Sequence, residues 1–344
     1  MSKWPLAALL FVTLGAPSFS QGTPKPLFAS DAPIQFKIQG PVDRVVNRAE
    51  RSTSPEVATL ILASPAESLP VRLSARGLSR RTGDICQFPP LRLEFEPRPA
   101  ATSLFAGQRR LKLVTHCRSS SSFQQHLLME YAAYRLFNQV TPLSYRVRLA
   151  KVDYAEPGGK VSISRWGFLI EDLDDVARRN GLSEARVADR IDASLLDPRH
   201  AARLALMQYM IGNLDWSMRA GPEGEGCCHN SRLLGGAGAQ LVPVSYDFDY
   251  SGLVDAPYAL PPEQVPVRNV RTRYYMGYCR HNREAMAAAA ELRAKRGAIE
   301  ATFSQIPDLS EKTRRQALNF LGGFFADIAT DESLRTKVLK NCIN

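Results

Sequence analysis

The sequence predicts an α+β protein of two lobes, sheet-rich in its first half and helical in its second. Three observations carry this. Short segments alternating apolar and polar residues recur between Ile34 and Thr115, as half-buried strands do. From Phe123 onward the apolar spacing changes to threes and fours, the period of a helix with one buried face. Two more alternating segments, joined by Glu156-Pro157-Gly158-Gly159, lead into the helical half, with residues 165–180 as the crossover. A cleft between two such lobes is a usual place for a ligand.

Taken in order, residues 1–20 read as a secretory signal: Lys3 supplies the charge, 4–15 the apolar run, and Ser18-Phe19-Ser20 the small residues before cleavage. The run is too short to span a membrane, and no later segment is long enough, so the chain is expected outside the cytoplasm, periplasmic or extracellular. Residues 21–54 form an N-terminal extension holding a first strand at 34–38 and a polar loop at 41–57. Residues 55–175 form the sheet-rich lobe, with strands at 58–62, 70–73, 91–95, 111–115, 145–152 and 161–170 and a helix at 123–140. A basic, glycine-containing turn, residues 76–81, separates two of these strands. Residues 176–344 form the helical lobe. A short helix is expected at 183–191, and a longer one runs from Asp197-Pro198, aspartate capping and proline in the first turn, to Gly212. A strand at 240–246 and helices near 281–297 and 310–328 follow.

The 344 residues carry a net charge of +10, 44% hydrophobic and 23% charged residues, enough apolar material for a real core. The basic residues are scattered rather than gathered in blocks; a basic surface suits phosphates, nucleic acid or acidic envelope polymers, or is solvated with no cargo, and no nucleic-acid partner is expected here. Six cysteines, Cys86, Cys117, Cys227, Cys228, Cys279 and Cys342, fit an oxidising compartment. Cys86 and Cys117 are expected partners. Neighbouring Cys227 and Cys228 do not bond easily to each other, which makes Cys279 and Cys342 their natural partners. No C-x-x-C occurs, which argues against a metal–thiolate site.

On the helix at 123–140, Phe123, Leu127, Glu130, Tyr134 and Phe137 share one face. A carboxylate within an apolar stripe needs a cationic partner, and Lys112 on the preceding strand can supply it. The alternative puts Glu130 at the stripe's edge and Lys112 in solvent. A second constellation follows the 198–211 helix: Asn213-Leu214-Asp215-Trp216, then His229-Asn230, then Tyr246-Asp247-Phe248-Asp249. Asp215, at a helix exit, can take or orient a hydroxyl proton. Asn230, Asp247 and Asp249 offer the hard oxygens that Mg²⁺ prefers. Singly, each could cap a turn; the ordered set is the minimum equipment for phosphoryl transfer. His116 and His126 lie in no ligand pattern, and no G-x-S-x-G occurs.

These residues resemble the spore coat protein H (CotH) kinases, a secretory branch of the atypical protein-kinase fold, over residues 55–255. Arg76-Gly77-Leu78-Ser79 is similar to that family's R-G-N-S loop, Leu111-Lys112-Leu113 to its lysine strand, and Trp166 through Glu171 to its hinge. The 213–249 run matches its N-x-D-W, H-N and W-D-x-D motifs, with Tyr246 for tryptophan. The resemblance implies a bilobal protein-kinase-like fold with ATP and Mg²⁺ or Mn²⁺ as cofactors. Asp215 would be catalytic; Arg76, Ser79, Lys112, Glu130 and Glu171 nucleotide-binding; and Asn230, Asp247 and Asp249 metal-binding. The implied activity is phosphoryl transfer from ATP to a hydroxyl on a protein or envelope component. The alternatives are a kinase-shaped envelope-binding protein without turnover, or an exported hydrolase or polymer binder of another fold. Two departures stand out. No G-x-G-x-x-G loop is present, and Asp215 and Asn230 are fifteen positions apart, with the cysteine pair between them.

Overall fold

The computed structural model describes residues 22–236 and 238–344, so the expected signal segment lies outside the described residues. Seven strands are made where alternation predicts them: β1 (Ile34–Gln39), β2 (Glu56–Ala63), β3 (Ala66–Ala75), β4 (Leu91–Phe95), β5 (Arg110–Val114), β6 (Val147–Ala155) and β7 (Val161–Ile170). They close into a barrel in the order β1-β2-β3-β4-β5-β7-β6. Neighbours are antiparallel except at the seam, where β1 runs parallel to β6, from Ile34 opposite Ala150 to Gln39 opposite Ala155. Closure satisfies backbone groups that an open sheet would leave at its edges. Phe36, Ile38, Leu60, Leu73, Leu93, Leu113 and Val152 alternate inward and fill the interior.

Helices follow the same logic of one buried face. They are α1 (Val42–Asn47), α2 (Ser121–Val140), α3 (Leu173–Arg179), α4 (Pro198–Ile211), α5 (Asn282–Ala294), α6 (Arg296–Ala301) and α7 (Glu311–Asp327). A small antiparallel sheet, β8 (Ser183–Glu184), β9 (Ser231–Gly235) and β10 (Val242–Ser245), lies in the order β10-β9-β8. Asp197 caps α4 by accepting from the His200 amide at 2.9 Å. Gly212 ends it with φ +63, where an added Cβ would stand 2.9 Å from Phe320.

The closed barrel overturns the expected bilobal kinase-like fold. The first half is not an open lobe, and the helices do not form a lobe of their own. Val147, Leu149, Phe168 and Ile170 leave the barrel wall outward and join one core with Tyr134, Phe137 and the helices behind them. Strands β6 and β7 are apolar on both faces, so each serves the barrel interior and the helical layer together. Local differences have similar causes. Residues 183–191 are not a helix, because β8 pairs Ser183 with Gly235 of β9. Residues 41–57 contain α1, whose Val42 and Val45 are buried. Among the described residues, no helix is long and apolar enough to cross a membrane.

The disulfides are Cys86–Cys117 (Cα–Cα 4.5 Å), Cys279–Cys342 (Cα–Cα 4.9 Å) and the adjacent pair Cys227–Cys228. The first matches the sequence expectation. The second corrects it: the Cys279 amide donates to the Ile343 carbonyl at 2.9 Å, which sets the chain end beside residue 279 and leaves Cys227 and Cys228 to each other.

Candidate functional site

A cleft of about 570 Å³ opens between the 77–80 turn and the loops that follow α4 and β10. Its first wall is built by the turn after Gly212. The Asn213 side chain accepts from the Asp215 amide at 3.1 Å, and the Trp216 indole donates back to the Asn213 carbonyl at 3.0 Å. These bonds fix Asp215 at the rim with a third of its side chain exposed. His229 Nε2 lies 2.7 Å from Asp215 Oδ1, and Asn230 Nδ2 donates to Asp215 Oδ2 at 2.9 Å. Hydrogen bonding to Asp215 raises the His229 pKa, although burial opposes it. The long stretch between Asp215 and Asn230 is therefore folded back so that the two touch.

The second wall is acidic. Asp247 follows β10 and Phe248 is fully buried, its ring 4.6 Å from both Phe137 and Tyr134 of α2. That packing pins Asp247 and Asp249 on either side, and the Asp247 amide donates to the Tyr134 hydroxyl at 2.9 Å. Asn230 (φ +47) and Asp247 (φ +63) both hold left-handed backbone, which asparagine and aspartate tolerate better than most residues. Asp249 accepts from Tyr258 at 3.0 Å.

The cation for Glu130 is Arg80, not Lys112. The Arg80 guanidinium reaches Glu130 Oε2 at 3.0 Å, Asp247 Oδ1 at 2.6 Å and Asp249 Oδ2 at 3.4 Å. Burial raises the pKa of both Glu130 and Asp249, and Arg80 opposes that shift at each. In the sequence, Arg80 stands only as part of a basic turn. A buried carboxylate predicts a cation, but strand alternation offered Lys112 first and the turn conformation was not readable.

Lys112 alternates with Leu111 and Leu113, and so points out of the barrel into a neighbouring pocket of about 390 Å³ that shares Arg232 and Tyr246 with the cleft. Its ammonium lies 5.4 Å from the Tyr246 ring centroid. Among the described residues, neither Lys112 nor Arg76 forms an ion pair, and both are half-buried. Burial, with Arg76 beside it, lowers the Lys112 pKa to about 8; burial likewise lowers that of Arg76. Two unpaired, partly desolvated cations on one wall favour an anion. Ser79 lines the acidic cleft rather than this pocket. Glu171 borders the pocket, but its carboxylate is held by Arg179 at 3.0 Å and by the Arg146 amide at 2.9 Å, a buried structural pair.

The structure thus gathers Asp215, Asn230, Asp247 and Asp249 on one cleft, sets Lys112 and Arg76 next door, and turns Glu171 inward. The Asp215–His229 contact was legible only as the His229-Asn230 dipeptide; their meeting depends on a loop fold the sequence does not specify locally. Glu130, Asp247 and Asp249 each offer an oxygen within 4.8 Å of the others, a donor set that suits Mg²⁺ or Mn²⁺. Arg80 supplies the positive charge among them here. No protein-family model matches the chain, and no curated protein sequence matches it.

Proposed function

We propose that the cleft binds ATP and passes its terminal phosphoryl group to a hydroxyl of a protein or envelope acceptor, outside the cytoplasm. The observation that carries this reading is the juxtaposition of unpaired Lys112 and Arg76 with the Asp215–Asp247 wall, through the shared residues Arg232 and Tyr246. Phosphates would lie against the cations, with the terminal group toward the carboxylates. The acceptor oxygen forms a bond to the γ-phosphorus while the bond to the bridging oxygen breaks, and ADP departs. Asp215 takes the hydroxyl proton, oriented by Asn230 and backed by His229. A divalent cation, held by Asp247 and Asp249, would neutralise phosphate charge. Motif likeness to the CotH kinases supports the same chemistry, without their fold. The disulfides support an oxidising location.

A second reading, an envelope-binding protein without turnover, is favoured by Arg80, which already neutralises the carboxylates a metal would use. One experiment separates the two. The oxidised protein is incubated with Mg²⁺ and γ-labelled ATP beside its Asp247→Ala variant. Label transferred by the wild type and lost in the variant supports the enzyme. Nucleotide binding without transfer supports the second reading, and neither binding nor transfer removes the enzyme reading.

A further inference from the structure

Arg80 stands among oxygens that together could hold an ion. Three carboxylates from two distant parts of the chain surround one guanidinium, so two formal negative charges remain uncompensated if all are ionised. Glu130 is 3% exposed, and its Oε1 has no hydrogen-bond partner among the described residues. A buried carboxylate oxygen left this way is costly, and either a proton or a further positive partner relieves it. Arg80 itself arrives from a surface turn that Arg81 ties to the Gly77 and Ala49 carbonyls at 2.6 and 3.0 Å, but whose tip is open. Gly77 has φ +92 with open space where a Cβ would stand, and Leu78 is 72% exposed.

We infer that Glu130, Asp247 and Asp249 form a divalent-cation site whose resident, displaceable occupant is the Arg80 side chain. Mg²⁺ or Mn²⁺ enters as the 77–81 turn swings and the guanidinium leaves. Oxygen-only donors select hard cations, and in the place of Arg80 a double charge leaves one negative charge uncompensated where the guanidinium leaves two. The inference deepens the reading of this cleft as a phosphate site, since an arriving phosphate gives the released Arg80 a bidentate partner. Free metal and Arg80 then compete, and the wild type alone holds metal weakly.

The test uses Mn²⁺ alone, with no nucleotide, read by calorimetry and by the paramagnetic signal of the free ion. Arg80→Gln should bind Mn²⁺ at least roughly tenfold more tightly than the wild type. The double variant Arg80→Gln, Asp249→Asn should lose that gain. Equal affinity in Arg80→Gln and wild type, or an undiminished gain in the double variant, overturns the inference. If Arg80→Gln is unfolded in metal-free buffer, folding on addition of Mn²⁺ supports it, and failure to fold with Mn²⁺ counts against it. Arg80→Lys, which keeps one charge on a shorter reach, should bind with intermediate affinity; affinity no tighter than wild type overturns the exchange. Because no transfer is measured, failure here is distinct from failure of the phosphoryl-transfer reading.

Discussion

Raising the pH from 7 to 9 should strip the cationic pocket of one charge and weaken phosphate binding. Lys112 is held near pKa 8 by burial first and by the Arg76 charge second, while Asp247 and Asp172 pull the other way. An anion beside it favours the ammonium, so binding above pH 8 must take up nearly one proton. Linkage then gives an affinity that falls about tenfold between pH 7 and pH 9. The probe is ADP without metal, whose own phosphate is half ionised near pH 6 and so adds only a small slope in this window. Calorimetry across the range gives the slope, and Lys112→Arg, charged throughout, should flatten it. The unliganded protein should respond in the opposite sense. A lowered lysine pKa opposes folding below pH 8, and that penalty is relieved as pH rises from about 8 toward 10.5, so stability gains from Lys112 across that window. A flat wild-type affinity, or an equal slope in Lys112→Arg, would refute the reasoning.

Other consequences follow from single contacts. Phe248→Ala should cost about 3–5 kcal/mol, measured by urea unfolding, because a fully buried ring stacked on Phe137 and edge-on to Tyr134 is removed; a loss under about 1 kcal/mol would mean it does not pin the two aspartates. The His229 ring should titrate above its ordinary value of 6.5 in an NMR experiment, and Asp215→Asn should bring it back down; an unmoved midpoint would deny the pairing. Its contribution to stability is present below about pH 6.5 and is lost as pH rises through the raised value. Replacing Cys279 and Cys342 together by serine opens a closure 63 residues apart in sequence and should lower stability by roughly 4 kcal/mol in thermal or chemical melts; an unchanged melt would contradict the pairing.

Much of the secondary structure was legible, for a physical reason. Strand β7 and helix α2 carry strong periodicity, and the Asp197-Pro198 and Gly212 signals bound α4 closely. The barrel was not legible. Its seam joins β1 to β6 across more than a hundred residues, and alternation announces a strand without naming its neighbour. Nothing in residues 34–38 distinguishes a strand of an extension from the piece that closes a barrel. The site shows the same division. Residues brought together by local turns, such as Asn213 with Asp215, follow from their spacing. The Glu130 partner depended on how the 76–81 turn folds over α2, and there a side chain that reads as surface arginine becomes the most buried cation of the cleft. The expected pairing of Cys279 and Cys342 with Cys227 and Cys228 failed similarly, because the chain end returns to pair Tyr278 with Ile343.

The central claim is that the cationic pocket and the carboxylate wall act on one phosphorylated ligand. A crystal structure of the oxidised protein with Mg²⁺ and a non-hydrolysable ATP analogue tests it most directly. The account predicts phosphates against Lys112 and Arg76, with the terminal group facing Asp247 and within reach of a hydroxyl at Asp215. An analogue bound elsewhere, or a terminal phosphate turned away from Asp215 and Asp247, would contradict it.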